Sequence, residues 1–385
     1  MHFCCRIPPA SWTSVVANRA VNNHRQLFVC GGCGQTGAAL ADPQWHDMSG
    51  LFTSRRFVCR ANRWEGAAMP VCLSHVSAFE FYRVCAQRGI NVSKLPRLGS
   101  LEDFSAIRVF EALAEDGFQD ALEAPVHVMV KERTHQRCQA GVAKHGVSLD
   151  LPESSVAQFS ERVFVASPEL CFAQMGAQMP EIDLALRAYE LLGYYALEQD
   201  GGECLGRGKP LATQRQALRL VKAMPGLHGV KPARKVLSYA CAGSASPAQA
   251  AMALLLTAPS RVGGMGFDGA VLNKWVSTKD GDRWADVVWP RYRIGLEIVD
   301  FIPDGGWRLF LKMDRRRRMT QVNGVEVIAV RILDFIDPER FDDLSRTIAR
   351  AMGRRVRITL KNHAARQQLL RQKVLPGTSF EMFLQ

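Results

Sequence analysis

Between residues 66 and 355 the chain alternates short apolar runs with stretches whose apolar residues recur every three or four positions. That is the pattern of strands interleaved with amphipathic helices. Residues 69–73, 126–130 and 162–166 have strand length and composition. Ser74 or His75 opens a helix through Arg83, and Ser167-Pro168-Glu169-Leu170 carries a serine cap with proline in the first turn. A longer helix is predicted over Glu181–Leu197, a glycine loop over 201–208, and two helices near 213–223 and 229–241. From Ser244 the order changes. Ser246-Pro247 caps a helix through Leu256, which Pro259 and Gly263-Gly264 stop. Strands follow near 270–275, 284–289 and 293–300, then a helix near 308–321, a strand at 325–331 and a helix at 338–352 closed by Gly353. The expected organisation is an irregular segment 1–65, a mixed α/β recognition or regulatory region 66–243, an α-β-β-β-α-β-α region 244–355 and a basic C-terminal tail 356–385.

Composition narrows the class. The 385 residues are 47% hydrophobic and 22% charged, and no apolar run reaches the roughly 18 residues that a membrane helix needs. The longest, Ala248 to Pro259, is broken by Gln249. With no signal-peptide core at the start, the expectation is a cytoplasmic protein without a membrane partner. Eleven cysteines, an odd number without disulfide cadence, read as reduced thiols. Cys30-Gly31-Gly32-Cys33 has zinc-knuckle spacing, but no second pair follows and it reads as a glycine-rich turn. The formal charge is +12, and residues 261–385 hold 23 Lys and Arg against 15 Asp and Glu. That balance suits a polyanion, with DNA the expected partner.

Candidate chemistry centres on two acids. Ala285-Asp286-Val287-Val288-Trp289-Pro290 and Ile294-Gly295-Leu296-Glu297 set a carboxylate in each of two apolar strands. Such burial costs several kcal/mol unless compensated, and a divalent metal is one compensation. Neither a Gly-x-Ser-x-Gly elbow nor a phosphate-binding Gly-x-x-x-x-Gly-Lys loop is present. His75 reads as a cap or core-packing residue. His127, His135 and His145 lack metal-ligand spacing and receive no role.

The wording around the acids carries a family resemblance. Ser246-Pro247, Leu254-Leu255-Leu256, Pro259, Gly263-Gly264 and Asn273 precede Asp286 and Trp289-Pro290. Glu297, Asp314 with Arg315–Arg318, and Gly324-Val325-Glu326-Val327 follow. This resembles bacterial endonuclease-like domains of the PD-(D/E)xK superfamily, related to the very-short-patch mismatch-repair endonucleases. Ser74–Ala78 and Val165–Leu170 resemble the region often found ahead of such domains. The resemblance implies a restriction-endonuclease-like α-β-β-β-α-β core behind a mixed α/β N-terminal region. It also implies Asp286 and Glu297 as ligands of Mg²⁺, Gln249 orienting a ligand or water, and Arg316, Arg317 and Arg318 gripping a phosphate. The expected activity is metal-dependent phosphodiester hydrolysis on DNA.

Three positions depart from that pattern. Gln249 stands where the family usually has glutamate, and Val299 where Glu-x-Asp or Glu-x-Lys would continue. Ile302–Trp307 lacks the usual histidine. Asp300 comes one residue late, on the opposite face of an unbulged strand. These departures favour reduced or absent catalysis. The alternative is therefore a non-catalytic DNA-binding or regulatory protein, antitoxin-like in its two-part layout.

Overall fold

The computed structural model describes residues 69–98, 104–131, 138–198, 204–278, 281–298, 321–322, 325–331, 333–356 and 358–375. Cys30, Cys33, His135, Val299, Asp300, Asp314, Arg316, Arg317, Arg318 and the predicted helix near 308–321 lie outside the described residues. The described part belongs to one compact unit of mixed α/β architecture.

Its first layer is a six-stranded mixed sheet. β1 (Val71–Leu73) feeds α1 (His75–Gln87); β2 (Arg97–Leu98), α2 (Val109–Glu115), β3 (Val126–Val130), β4 (Val142–Gly146), β5 (Val156–Gln158) and β6 (Val163–Ala166) follow. The strand order is β2-β5-β6-β1-β3-β4, with β1 parallel to β6 and β3 parallel to β4. β1 and β6 are buried at every residue, which is why they read as unbroken apolar runs. β4, a half-buried edge strand reading VAKHG, has no such run and was not expected from the sequence.

Helices pack on this sheet. α3 (Pro168–Met175) starts as expected, with Ser167 Oγ accepting from the Leu170 amide at 3.2 Å. α4 (Glu181–Leu192) is shorter than the predicted 181–197. The chain leaves the helix at Gly193, which is extended (φ −99°, ψ 171°) and so close to Tyr189 O and Ser244 Oγ, at 2.6 and 2.7 Å from where a Cβ would stand, that no side chain fits. It turns instead into β7 (Tyr195–Leu197), paired with β8 (Cys204–Gly206). α5 (Gln214–Ala223) opens with a reciprocal capping box between Thr213 and Gln216. α6 (Val230–Leu237) packs against α5 and against α3 and α4. Its preceding residue, Gly229, has φ +99° and would carry a Cβ only 2.4 Å from Ala173 O, a position open to glycine alone.

α7 (Pro247–Thr257) is apolar on every side and buried throughout 249–257, as a helix hydrophobic around its circumference must be. It leads to a second sheet of β9 (Val271–Thr278), β10 (Gly281–Trp289), β11 (Ile294–Ile298), β12 (Gln321–Val322) and β13 (Val325–Val330). The order is β12-β13-β11-β10-β9, antiparallel except that β13 runs parallel to β11. α8 (Leu333–Ile336), α9 (Pro338–Ala351) and α10 (His363–Val374) complete the described chain. One apolar core runs from Val71 to Val374, so packing continues across residue 244. The stretch read as a basic tail contains α10, which packs on α4 and α7 with Leu370 fully buried. Lys373 meets Asp183 at 3.1 Å there. Its apolar positions are sparse among Arg, Lys and Gln, so the sequence carries no clear helical period there.

Candidate functional site

The two strand acids are neighbours. β10 and β11 pair through Val287 opposite Leu296, and one further step along each strand reaches Asp286 and Glu297, both half-buried. At that step the ladder is taken over by a side chain. Asp286 Oδ2 accepts from the Ile298 amide at 2.6 Å. Its Oδ1 accepts from Gln249 Nε2 at 3.2 Å.

Gln249 is the centre of this cluster and is 3% exposed. Its Oε1 accepts from the Ala245 amide at 2.8 Å and from Asn273 Nδ2 at 2.9 Å. Its Nε2 donates to Asn273 Oδ1 at 2.9 Å and to the Asp286 backbone carbonyl at 3.1 Å. The Ala245 N–H can only donate, so the amide orientation is fixed and the NH₂ group must face Asp286. Asn273 adopts φ +49°, interrupts the pairing of β9 with β10 opposite Asp286, and ties the cluster to Gly243 O.

A hard dication needs convergent oxygens, and the neighbour that Asp286 Oδ1 meets here is the amide NH₂ of Gln249. The sequence brought Gln249, Asp286 and Glu297 together correctly in space. The contacts assign Gln249 to joining the 243–246 turn, β9 and β10.

A second feature is electrostatic. From Cys204 to Phe267 the chain carries nine Lys and Arg and no Asp or Glu. Arg215, Arg219 and Lys222 fall on one exposed face of α5, opposite the buried Ala217 and Val221. Lys231, Arg234 and Lys235 are exposed on α6, opposite Val230, Ala233, Val236 and Leu237. Arg234 Nη2 donates to Val221 O at 2.9 Å and links the two helices, while Lys235 pairs with Glu181 at 2.7 Å. The acid-free stretch is plain in the sequence.

The third feature brings His75, buried at its helix start, together with two histidines to which sequence spacing gave no role. His75, His127 and His145, dispersed in sequence, place one ring nitrogen each within 4.8 Å of the others. His75 is 7% exposed and the other two are half-buried. His127 Nδ1 and His145 Nε2 share a hydrogen bond of 2.9 Å. The His75 ring stacks on that of His145 at 3.8 Å between centroids, and its Nδ1 bonds Ser74 Oγ at 3.0 Å. Burial first, then the neighbouring His145, His127 and His228, hold His75 down to about 3. Burial and His127 hold His145 down to about 4, and burial lowers His127. Linear spacing could not reveal this group, because the three residues come from a helix start and two strands whose adjacency is tertiary.

Comparison of the chain with protein-family models, with curated proteins and with solved structures finds no match in any of the three. Among the described residues no helix is long and apolar enough to cross a membrane.

Proposed function

We propose that the chain is a DNA-associated protein that binds through the basic pair α5–α6, and that its endonuclease-like region serves binding or regulation without cleavage. The observation that carries this reading is the exposed Arg215/Arg219/Lys222 face on a 64-residue stretch without a carboxylate. Phosphate contacts supply most of the affinity of such a surface, whatever the base sequence.

The endonuclease-like assignment rests on the resemblance. It is supported by α7 followed by three antiparallel strands, and by β13, which comes after the short β12 and returns parallel to β11. The absence of cleavage is argued from Asp286, whose two oxygens accept from Gln249 and Ile298.

Fluorescence anisotropy with a labelled duplex, and plasmid nicking in Mg²⁺ or Mn²⁺, test both halves. Binding is expected to be insensitive to chelator and to weaken at least tenfold in the Arg215→Glu/Arg219→Glu/Lys222→Glu variant, with plasmid left intact. Equal binding by that variant overturns the assigned surface. Metal-dependent nicking that disappears in Asp286→Ala overturns the non-cleaving reading.

A further inference from the structure

The three-histidine group lies on the six-stranded sheet, far in sequence from the strand acids and outside the proposed function. β3 and β4 are parallel with His127 opposite Ala143 and Met129 opposite His145. Paired and alternate residues share a face, so His127 and His145 stand diagonally on one side of the sheet, two rungs apart. α1 begins directly over them. The Ser74 amide donates to His127 O at 2.9 Å, and the His127 amide donates to Ser77 Oγ at 2.9 Å. These bonds fix the helix start relative to β3.

His75 completes the group at a cost. It has φ +52°, the left-handed region that residues with a Cβ rarely adopt. Its amide donates to Gln174 Oε1 at 3.2 Å, so α3 holds it in place. That conformation brings its ring onto His145. Since Ser74 Oγ engages Nδ1, Nε2 is the nitrogen left to face outward from that bond.

We propose that His75, His127 and His145 form a binding site for a divalent transition metal, Zn²⁺ in the first instance, with a fourth position open to water. Imidazole nitrogen suits zinc and its neighbours in the first row and does not suit Mg²⁺, which takes oxygen. Three protein ligands with one vacant position is the arrangement of zinc sites that are not purely structural. The distances allow it. Zn–N bonds of about 2.0–2.1 Å in a tetrahedron set ligand nitrogens about 3.3 Å apart. The His127–His145 pair at 2.9 Å opens by a few tenths of an ångström, and the nitrogens now as much as 4.8 Å apart close in. A ligating nitrogen must be unprotonated, so the ring now donating in the His127–His145 bond moves that proton to its other nitrogen as the metal enters. Ser74 Oγ is the supporting partner that orients His75, a role that outer hydrogen bonds play for metal-ligating histidines. His127 and His145 are half-buried, the latter on an edge strand, so the group is not sealed from solvent.

The test uses the full chain, stripped with chelator and titrated with Zn²⁺ alone, then with Co²⁺, in the absence of DNA. One high-affinity zinc per chain is expected at this site. It should vanish in a His127→Gln/His145→Gln variant, whose glutamines keep the volume and polarity of the edge. Co²⁺ should give the visible absorption of a tetrahedral site without the near-ultraviolet thiolate band that cysteine ligation would add. Ser74→Ala should weaken binding by about 10–100-fold without abolishing it. Circular dichroism and a cooperative melt confirm that each variant is folded. For a variant that does not fold, the wild-type histidine ring ¹⁵N resonances provide the readout, and three must shift with zinc. Zinc stoichiometry unchanged in the folded double variant, a thiolate band accounting for all bound Co²⁺, or ring resonances indifferent to zinc each overturns the site.

Discussion

Glu190 shows how much one side chain can organise. It is 1% exposed, yet it faces three arginines. Arg83 forks onto it with bonds of 2.8 and 2.6 Å, and Arg187 reaches it at 3.3 Å. Arg207 donates to its backbone carbonyl, and the Leu197 amide donates to Oε1 at 3.2 Å. Burial pulls Arg207 down to about 10, opposed by Glu190. Removing the single anion leaves buried cations without compensation, so Glu190→Gln is expected to cost about 3–5 kcal/mol by urea denaturation. Glu80 acts in the opposite sense. Burial and Glu123 raise it from 4.5 to about 7 against the pull of Arg83 and a backbone bond, and its Oε2 is buried without a hydrogen-bond partner. A carboxyl raised on folding stabilises fully below its unfolded pKa of 4.5, and that contribution is lost as pH rises through about 7. Glu80→Gln should therefore melt above the parent protein at pH 8, with the gap closing toward pH 4.5. A gap independent of pH would rule out this assignment.

At the scale of elements, Gln249 joins four pieces of chain that sequence patterns show only separately: the 243–246 turn, α7, β9 and β10. Gln249→Leu keeps the volume but takes the Gln249 partner from the Ala245 amide and from Asn273 Oδ1. Each buried orphan costs about 1–3 kcal/mol, so a loss of about 2–4 kcal/mol in denaturant titration is expected, larger than a surface glutamine would give. The helices were legible where a local cap dictates them. Ser167-Pro168, Thr213 and Ser246-Pro247 each start a helix within one residue of the expected position. The end of α4 was not legible, because Gly193 is set by the approach of Ser244, 51 residues away.

For the whole molecule, the net charge of +12 is less informative than its placement. Surface charges beyond a Debye length of about 8–10 Å are screened, so a clustered face such as that on α5–α6 acts coherently at physiological salt where scattered charges do not. Each phosphate contact removed should lower the slope of log affinity against log salt by about 0.9. Replacing Arg215, Arg219 and Lys222 with alanine is therefore expected to reduce the slope by roughly 2–3, with little change in melting temperature. An unchanged slope would place the DNA surface elsewhere. The zinc proposal belongs to a different layer of the molecule, and neither result depends on the other.

The sequence by itself determined the mixed α/β class, most strands and helices of 69–352, and the proximity of Asp286 to Glu297. Those follow from local periodicity, caps and short strand connections, which act over a few residues. Tertiary structure decided the rest. It set the Gln249 amide among Ala245, Asn273 and Asp286, and folded residues 363–374 into α10. It also gathered His75, His127 and His145, 70 positions apart at the extremes, onto one face. Side-chain convergence of that kind depends on strand register and helix placement, and register is fixed only when the whole sheet closes on its core.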